Sequence, residues 1–109
     1  MDKHEQRFGE YLRQLIKDAG MTQGEFYTKL GIRKPYFYDI LSGHTNPPPY
    51  ALQFKAMNIL ETNKEVREKF YDLAAKDRNE LPADIVLYMK ENPDIITNIR
   101  KSIKSSLHI

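Results

Sequence analysis

The fold of this chain is decided by residues 21–43, MTQGEFYTKLGIRKPYFYDILSG. Phe26 and Leu30 stand four residues apart and would share one face of a short helix. Gly31 follows them, and glycine readily adopts the left-handed backbone conformation that ends a helix. A second apolar pattern then begins at Phe37. The segment therefore predicts two short helices joined by a tight turn, which only packing against the rest of the chain could keep folded.

The ends of these two helices are marked by particular residues. Thr22 is followed three residues later by Glu25, the capping-box arrangement in which each side chain accepts a hydrogen bond from the other residue's backbone amide. We therefore expect the first helix of the pair to begin at Gln23 and to end at Gly31. The second is expected over Pro35–Leu41, because proline suits the first helical position and biases the residue before it away from helical angles.

The remainder of the chain also has the apolar spacing of helices, with three- and four-residue steps. Further helices are expected over residues 8–19, 50–60 and 64–76, and two more should open at Pro82 and Pro93. The sequence therefore predicts an all-α protein.

Residues 8–60, about half of the chain, resemble the Cro/Xre-type helix-turn-helix family of bacterial and phage regulators. The resemblance is carried by three segments, FGEYLRQLIKDAGMTQGEFYTKLGI, YFYDILSG and NPPPYALQFKAMNIL. It implies a lambda repressor-like bundle of five helices, whose third helix, here at about residues 35–41, lies in the major groove of DNA. Additional C-terminal helices would follow the bundle. We therefore expect a helix-turn-helix DNA-binding domain over residues 1–62 and a helical extension over residues 63–109.

The resemblance also implies which residues contact double-stranded DNA. Gln23 matches a phosphate-contacting position at the start of the second helix, and backbone amides at a helix N-terminus attract anions. Five residues match positions at or facing the groove: Arg33, Lys34, Pro35, Tyr38 and Asp39. Three more match a loop that follows the DNA backbone: His44, Thr45 and Asn46. Contacts of this last kind position a protein on DNA without reading its sequence.

The residue types on the third helix suit base recognition in different ways. Arg33 could bond a guanine through two hydrogen bonds, and Lys34 could serve a guanine or a phosphate. Asp39 could accept from a cytosine amino group or orient one of these two cations. Pro35 has no donor and offers only apolar contact, for instance to a thymine methyl. Tyr36 is expected on the flank of the helix, where its hydroxyl could meet a phosphate.

Three residues depart from the family pattern. Pro35 occupies a groove-facing position that many relatives give to a polar residue. Tyr27 stands where the family usually has a small residue, because the two helices approach closely there. We expect its ring to lie at the periphery with its hydroxyl in water. Leu41 stands where a glutamate is common. These departures leave the expected fold intact, and they leave open how the bases are read.

Composition excludes several other classes of protein. The chain has 109 residues and a net charge of only +2, so nucleic-acid binding requires positive charge concentrated locally. It contains no cysteine, which excludes disulfides and thiolate metal sites. The three histidines form no HExxH or HxH motif, so we expect no metal and no other cofactor. No nucleophile motif or glycine-rich phosphate loop is present, and we expect no enzymatic activity.

The sequence gives no sign of membrane insertion. No apolar run approaches the roughly 18 residues of a membrane span. Residues 1–8, MDKHEQRF, lack the apolar stretch of a secretory signal. We therefore expect a cytoplasmic protein with no membrane partner.

The C-terminal region contains more apolar side chains than one small bundle needs, above all in residues 81–96, LPADIVLYMKENPDII. These helices could extend the hydrophobic core of the N-terminal bundle. They could instead form a homodimer interface through residues 63–109, or bind a different protein. A two-fold dimer would set two recognition helices about 34 Å apart on one face of the duplex. It would also roughly double the contacts of a nearly neutral protein. We therefore expect a homodimer.

Two functions are consistent with these patterns. The first is a sequence-specific double-stranded DNA-binding transcriptional regulator, expected to act as a repressor. The second is a protein-interaction module, or an antitoxin, that uses the same scaffold to bind a partner protein. The aromatic crowding at residues 36–38 and the weak net charge motivate this second reading.

Overall fold

The structure of the protein, a computed structural model, describes residues 6–107. This part of the chain forms seven α-helices and contains no β-strand, which confirms the predicted all-α class. The helices are α1 (Phe8–Asp18), α2 (Gln23–Leu30), α3 (Lys34–Ser42), α4 (Tyr50–Ile59), α5 (Lys64–Arg78), α6 (Ala83–Glu91) and α7 (Pro93–Leu107).

α2 begins where the sequence predicts, because its capping box is formed. The Thr22 hydroxyl accepts a hydrogen bond from the Glu25 backbone amide at 3.0 Å, and the Glu25 carboxylate accepts one from the Thr22 amide at 2.8 Å. The helix ends at Leu30, after which Gly31 adopts a φ of 84° and donates its amide hydrogen to the carbonyl of Thr28. Because residues with a Cβ are strained at this φ, glycine fixes the position of the turn.

α3 begins one residue earlier than predicted. Arg33 is the N-cap, and Lys34 rather than Pro35 is the first helical residue. Proline also fits at the second helical position, because the first four backbone amides of a helix have no acceptor within it. The bias that proline imposes on its predecessor is therefore too weak to delay the helix. α3 continues to Ser42, one residue past the prediction, and ends at Gly43, whose φ is 84°.

Phe37 lies at the centre of the packing between α2 and α3. Its side chain is 0% exposed, and its ring centroid lies 5.9 Å from that of Phe26 and 5.3 Å from that of Tyr27. Aromatic rings attract each other at such distances. Tyr27 is half-buried at the edge of the core, in line with the peripheral position expected for a ring of its size. With Phe37 turned inward, Tyr38 and Asp39 are exposed on the opposite side of α3.

The same core continues beyond the N-terminal helices. Phe70 of α5 is 0% exposed, and its ring centroid lies 4.9 Å from that of Phe8 of α1. Three further members of the cluster come from α5 and α6: Tyr71, Ala74 and Ala83. Over residues 93–105, α7 buries no side chain. The domain boundary after residue 62 stays a prediction. α5 lies beyond that boundary, yet its buried side chains belong to the same core as those of the N-terminal helices.

α1 and α3 approach each other closely at Gly9. This residue is buried, and a Cβ atom built on it would overlap the carbonyl group of Leu41 and lie only 3.0 Å from the Leu41 Cα. No side chain fits there unless one of the two backbones shifts, because protein interiors are close-packed. Leu41 is itself 5% exposed, so a position at which the resembled family commonly has a glutamate belongs here to the apolar core.

Replacement of Gly9 by alanine should lower the free energy of unfolding by about 1–3 kcal/mol, the usual cost of overpacking. Gly24→Ala is the matched control, because the atom nearest to a Cβ there is the Tyr27 hydroxyl oxygen at 4.0 Å. The control should raise the free energy of unfolding by up to about 1 kcal/mol, since alanine is the better helix former. Urea unfolding measures both values, and two variants of equal stability would contradict the close approach of α1 and α3.

Candidate nucleic-acid interface

The ten residues predicted to contact DNA lie at the start of α2, on α3 and its N-cap, and in the loop after α3. Seven of them are exposed: Arg33, Lys34, Pro35, Tyr38, Asp39, His44 and Asn46. The other three are half-buried: Gln23, Tyr36 and Thr45. Hydrogen bonds join two pairs within this set, one between α2 and α3 and the other between α3 and the loop.

The first pair is Gln23 and Tyr38, fifteen residues apart in the sequence. The Tyr38 hydroxyl donates to Oε1 of Gln23 at 3.0 Å. The Tyr38 ring stands edge-on to Phe37, with centroids 5.2 Å apart, while 40% of the residue stays exposed. Because the Gln23 oxygen accepts from Tyr38, the amide NH₂ group of Gln23 is the part of that side chain that can donate to an incoming acceptor.

The N-terminus of α2 is suited to an anion. The Glu25 amide is bonded to Thr22, whereas the amides of Gln23 and Gly24 precede it in the first turn and have no acceptor within the helix. Gly24 carries no side chain that could shield them. The partial positive charge at a helix N-terminus adds to the attraction, and a phosphate oxygen is a fitting ligand.

Positive charge is concentrated at the N-terminus of α3. Arg33 is the N-cap, Lys34 follows it, and the first turn of the helix contains no acidic residue. Within residues 6–105, neither cation forms an ion pair with an acidic side chain. Both charges are therefore available to a ligand. Asp39 lies on the next turn with its side chain exposed.

The loop after α3 is tied back to the end of that helix. The Thr45 amide donates to the carbonyl of Asp39 at 3.2 Å. The Ser42 hydroxyl lies 2.9 Å from Nδ1 of His44 and accepts a weaker bond of 3.4 Å from the His44 amide. Asn46 follows with its side chain exposed. These bonds hold the predicted backbone-contacting residues beside α3.

Tyr36 occupies a different environment from Tyr38. It is half-buried and packs against the hydrophobic core, whereas Tyr38 lies on the exposed face of α3. This agrees with the flanking position expected for Tyr36. Its contact with a phosphate stays a prediction.

Sequence reasoning missed the residues that hold the far side of the loop. Gln53 of α4 is 1% exposed, and its Nε2 donates to the carbonyl of Pro48 at 2.8 Å. Arg78, at the end of α5, donates from Nη1 to the carbonyl of Pro47 at 2.8 Å. For Gln53 the sequence did contain a signal, because a polar glutamine within the apolar pattern of α4 indicates a buried side chain that needs a hydrogen-bond partner. No spacing pattern links Arg78 to Pro47, which lies 31 residues away.

The described residues show no sign of two other kinds of site. No three His, Cys, Asp or Glu side chains come together there in a group that could hold a metal ion. No helix in the described range has the length and apolar character that crossing a bilayer would require. The chain matches no model of a known protein family, no curated protein and no solved structure.

The capping box beside Gln23 should make the stability of the protein depend on pH. The hydrogen bond from the Thr22 backbone amide, aided by the Thr22 hydroxyl and by the charge of Lys29, holds the pKa of Glu25 below its ordinary value. A carboxyl group whose pKa is lowered by folding stabilises the protein above its unfolded pKa, and this contribution is lost as the pH falls through the folded pKa.

Glu25→Gln keeps an acceptor at this position and removes the titration. The melting temperature of the parent should therefore exceed that of the variant at neutral pH, and the difference should shrink below about pH 4, near the ordinary glutamate pKa. Thermal unfolding of both proteins between neutral and acidic pH measures this. A difference that does not change with pH would show that the ionised carboxylate adds nothing to the cap.

Proposed function

We propose that this protein is a sequence-specific double-stranded DNA-binding transcriptional regulator of the Cro/Xre helix-turn-helix type, acting as a repressor. The observation that carries the proposal is the hydrogen bond between Gln23 and Tyr38. It joins the anion-attracting N-terminus of α2 to the exposed face of α3, the helix whose N-terminal end carries the unpaired charges of Arg33 and Lys34. One surface thus offers both a phosphate site and a helix face of groove-reading chemistry.

In the proposed complex, α3 lies in the major groove and α2 crosses the backbone. Arg33 would bond a guanine through its two parallel donors, and Lys34 would serve a guanine or a phosphate. Asp39 would accept from a cytosine amino group. Pro35 offers no donor and would only contact a thymine methyl, so base reading rests on few side chains.

The remaining contacts would go to the DNA backbone. Gln23 would donate its amide NH₂ to a phosphate next to the α2 amides. His44, Thr45 and Asn46 would follow the same strand from the loop after α3. Such contacts fix the register of α3 in the groove and carry no sequence information of their own.

Replacing Arg33 and Lys34 together by alanine should weaken binding to a selected duplex at least ~10-fold, because a single base contact of this kind contributes about 1–3 kcal/mol. The slope of log affinity against log salt concentration should also fall by up to about two. Duplexes selected from a random pool, followed by titrations of both proteins at several salt concentrations, provide the measurement.

The matched control is Lys64→Ala with Arg67→Ala, since this exposed lysine–arginine pair of α5 carries the same charge, is far from α3 in the sequence and lies outside the C-terminal helices α6 and α7. The control should bind nearly as tightly as the parent. If Arg33→Ala/Lys34→Ala binds as tightly as the parent, α3 is not the recognition helix. If selection enriches no duplex, the protein does not function as a sequence-specific DNA binder.

We also propose that two copies associate through α6 and α7. Eight large apolar side chains are at least 37% exposed in the described range, and seven of them belong to α6, α7 and the residue two before α6: Leu81, Ile85, Leu87, Tyr88, Ile96, Ile99 and Ile103. α7 contacts α6 but buries no side chain over residues 93–105, and a helix of about 15 residues with so little packing is marginal in water, so α7 gains stability from a surface that covers it. A second copy would supply one and would present a second α3 to the duplex.

Ile99→Glu should convert the dimer into a monomer at micromolar concentration, because it places a charge between Ile96 and Ile103, the other two exposed isoleucines of α7. Asn98→Glu adds the same charge at the neighbouring exposed position and should stay dimeric. Light scattering coupled to gel filtration gives the mass of each variant. A monomeric parent would rule out pairing. It would favour the second hypothesis, a protein-interaction module or antitoxin, in which a different protein covers the exposed apolar side chains of α6 and α7.

A further inference from the structure

The loop between α3 and α4 contains two buried prolines whose carbonyl groups need partners. Pro47 and Pro48 are both buried, and neither has a backbone N–H group that could donate a hydrogen bond. A buried carbonyl without a hydrogen bond costs free energy, so each must find a donor. Gln53 supplies the donor for Pro48 from the neighbouring helix α4. The donor for Pro47 comes from much farther along the chain.

That donor is Arg78, the last residue of α5. Its Nη1 donates to the Pro47 carbonyl at 2.8 Å, while its Nε donates to a carboxylate oxygen of Glu80 at 2.7 Å. The two charged side chains are only 25% and 28% exposed. The ion pair between Lys64 and Glu68 is 83% and 53% exposed, and its atoms lie 3.9 Å apart. The Arg78 pair is therefore sheltered and well aligned, and Glu80 fixes the orientation of the guanidinium plane.

We propose that Arg78 is a positioning residue for the loop His44–Asn46, and this inference rests on the proposed function. The loop is anchored at one end by the bond from the Thr45 amide to Asp39 of α3. Asn46 directly precedes Pro47, so Arg78 anchors the other end. The C-terminal half of the chain thereby sets where the DNA backbone meets the loop, without touching DNA itself.

The first test needs no DNA. Arg78→Met keeps an unbranched side chain and removes the donor to Pro47. The backbone amide of Thr45 should then exchange its hydrogen with solvent about tenfold faster, as expected when one charge-assisted hydrogen bond no longer restrains the loop. Hydrogen exchange followed by NMR measures this. Unchanged exchange at Thr45 would overturn the proposal, whatever the protein binds.

Arg67→Met is the matched control. Nη1 of Arg67 donates to the backbone carbonyl of Thr62 at 2.6 Å, so the control also removes one positive charge and one arginine–carbonyl bond from α5. It should leave the exchange at Thr45 unchanged. Combining Arg78→Met with Glu80→Gln removes the negative charge that Arg78 no longer balances. In the double variant, the Thr45 amide should exchange as fast as in Arg78→Met alone, because the lost bond to Pro47, and not the unbalanced charge of Glu80, releases the loop.

The second test uses the selected duplex. Arg78→Met should lower affinity about tenfold and reduce the salt slope by about one, as expected from the loss of one phosphate contact. Its preference for the selected duplex over a duplex with one changed base should stay as in the parent. A variant that merely unfolds more readily would lose active protein and keep the parental salt slope.

The outcomes separate this inference from the proposed function. If Arg33→Ala/Lys34→Ala loses DNA binding while Arg78→Met keeps the parental affinity and slope, the positioning role is wrong and the DNA-binding function stands. If the parent binds no duplex but Arg78→Met still accelerates exchange at Thr45, the proposed function fails while the hold of Arg78 on the loop stands.

Discussion

The burial of Phe37 is the constraint on which the rest of the structure depends. A fully buried phenylalanine contributes about 1.5–3 kcal/mol from the transfer of its ring out of water, and here the ring also contacts Tyr27 across the α2–α3 junction. Successive residues of a helix turn by about 100°. With Phe37 inward, Ile40 returns to the core, whereas Tyr38 and Asp39 turn to solvent. The exposed face of α3 is therefore a geometric consequence of one buried ring.

Local chemistry made much of this fold predictable. The capping box of Thr22 and Glu25 and the glycine at position 31 determine the limits of α2 through interactions within a few residues, so the sequence alone was sufficient. Helical spacing also puts Phe37 on one face with Ile40 and Leu41, three and four residues farther on, and all three side chains are buried. The start of α3 was wrong by one residue because proline satisfies the first and second helical positions equally well.

Features that depend on contacts between distant segments could not be predicted. Nothing in the sequence pattern of α1 sets Gly9 apart, and only the position of the Leu41 backbone shows why a side chain would not fit there. The bond from Arg78 to Pro47 joins residues 31 positions apart and leaves no periodic trace. The site was therefore predictable where a side chain faces solvent from a short helix. The bond by which Arg78 of α5 holds the loop at Pro47 was not predictable.

The charges of the candidate site are divided between two tasks. A net charge of +2 attracts nucleic acid only weakly as a whole, so the proposed function depends on where single cations lie. Arg33 and Lys34 stand at a helix start without acidic partners, and their charge is available to an anion. Arg78 is neutralised by Glu80, so its role is to donate a hydrogen bond to backbone rather than to attract phosphate. A nearly neutral protein gains affinity by holding each contact in place, so the paired Arg78 would influence binding through the position of the loop, whereas Arg33 and Lys34 would do so through their charge.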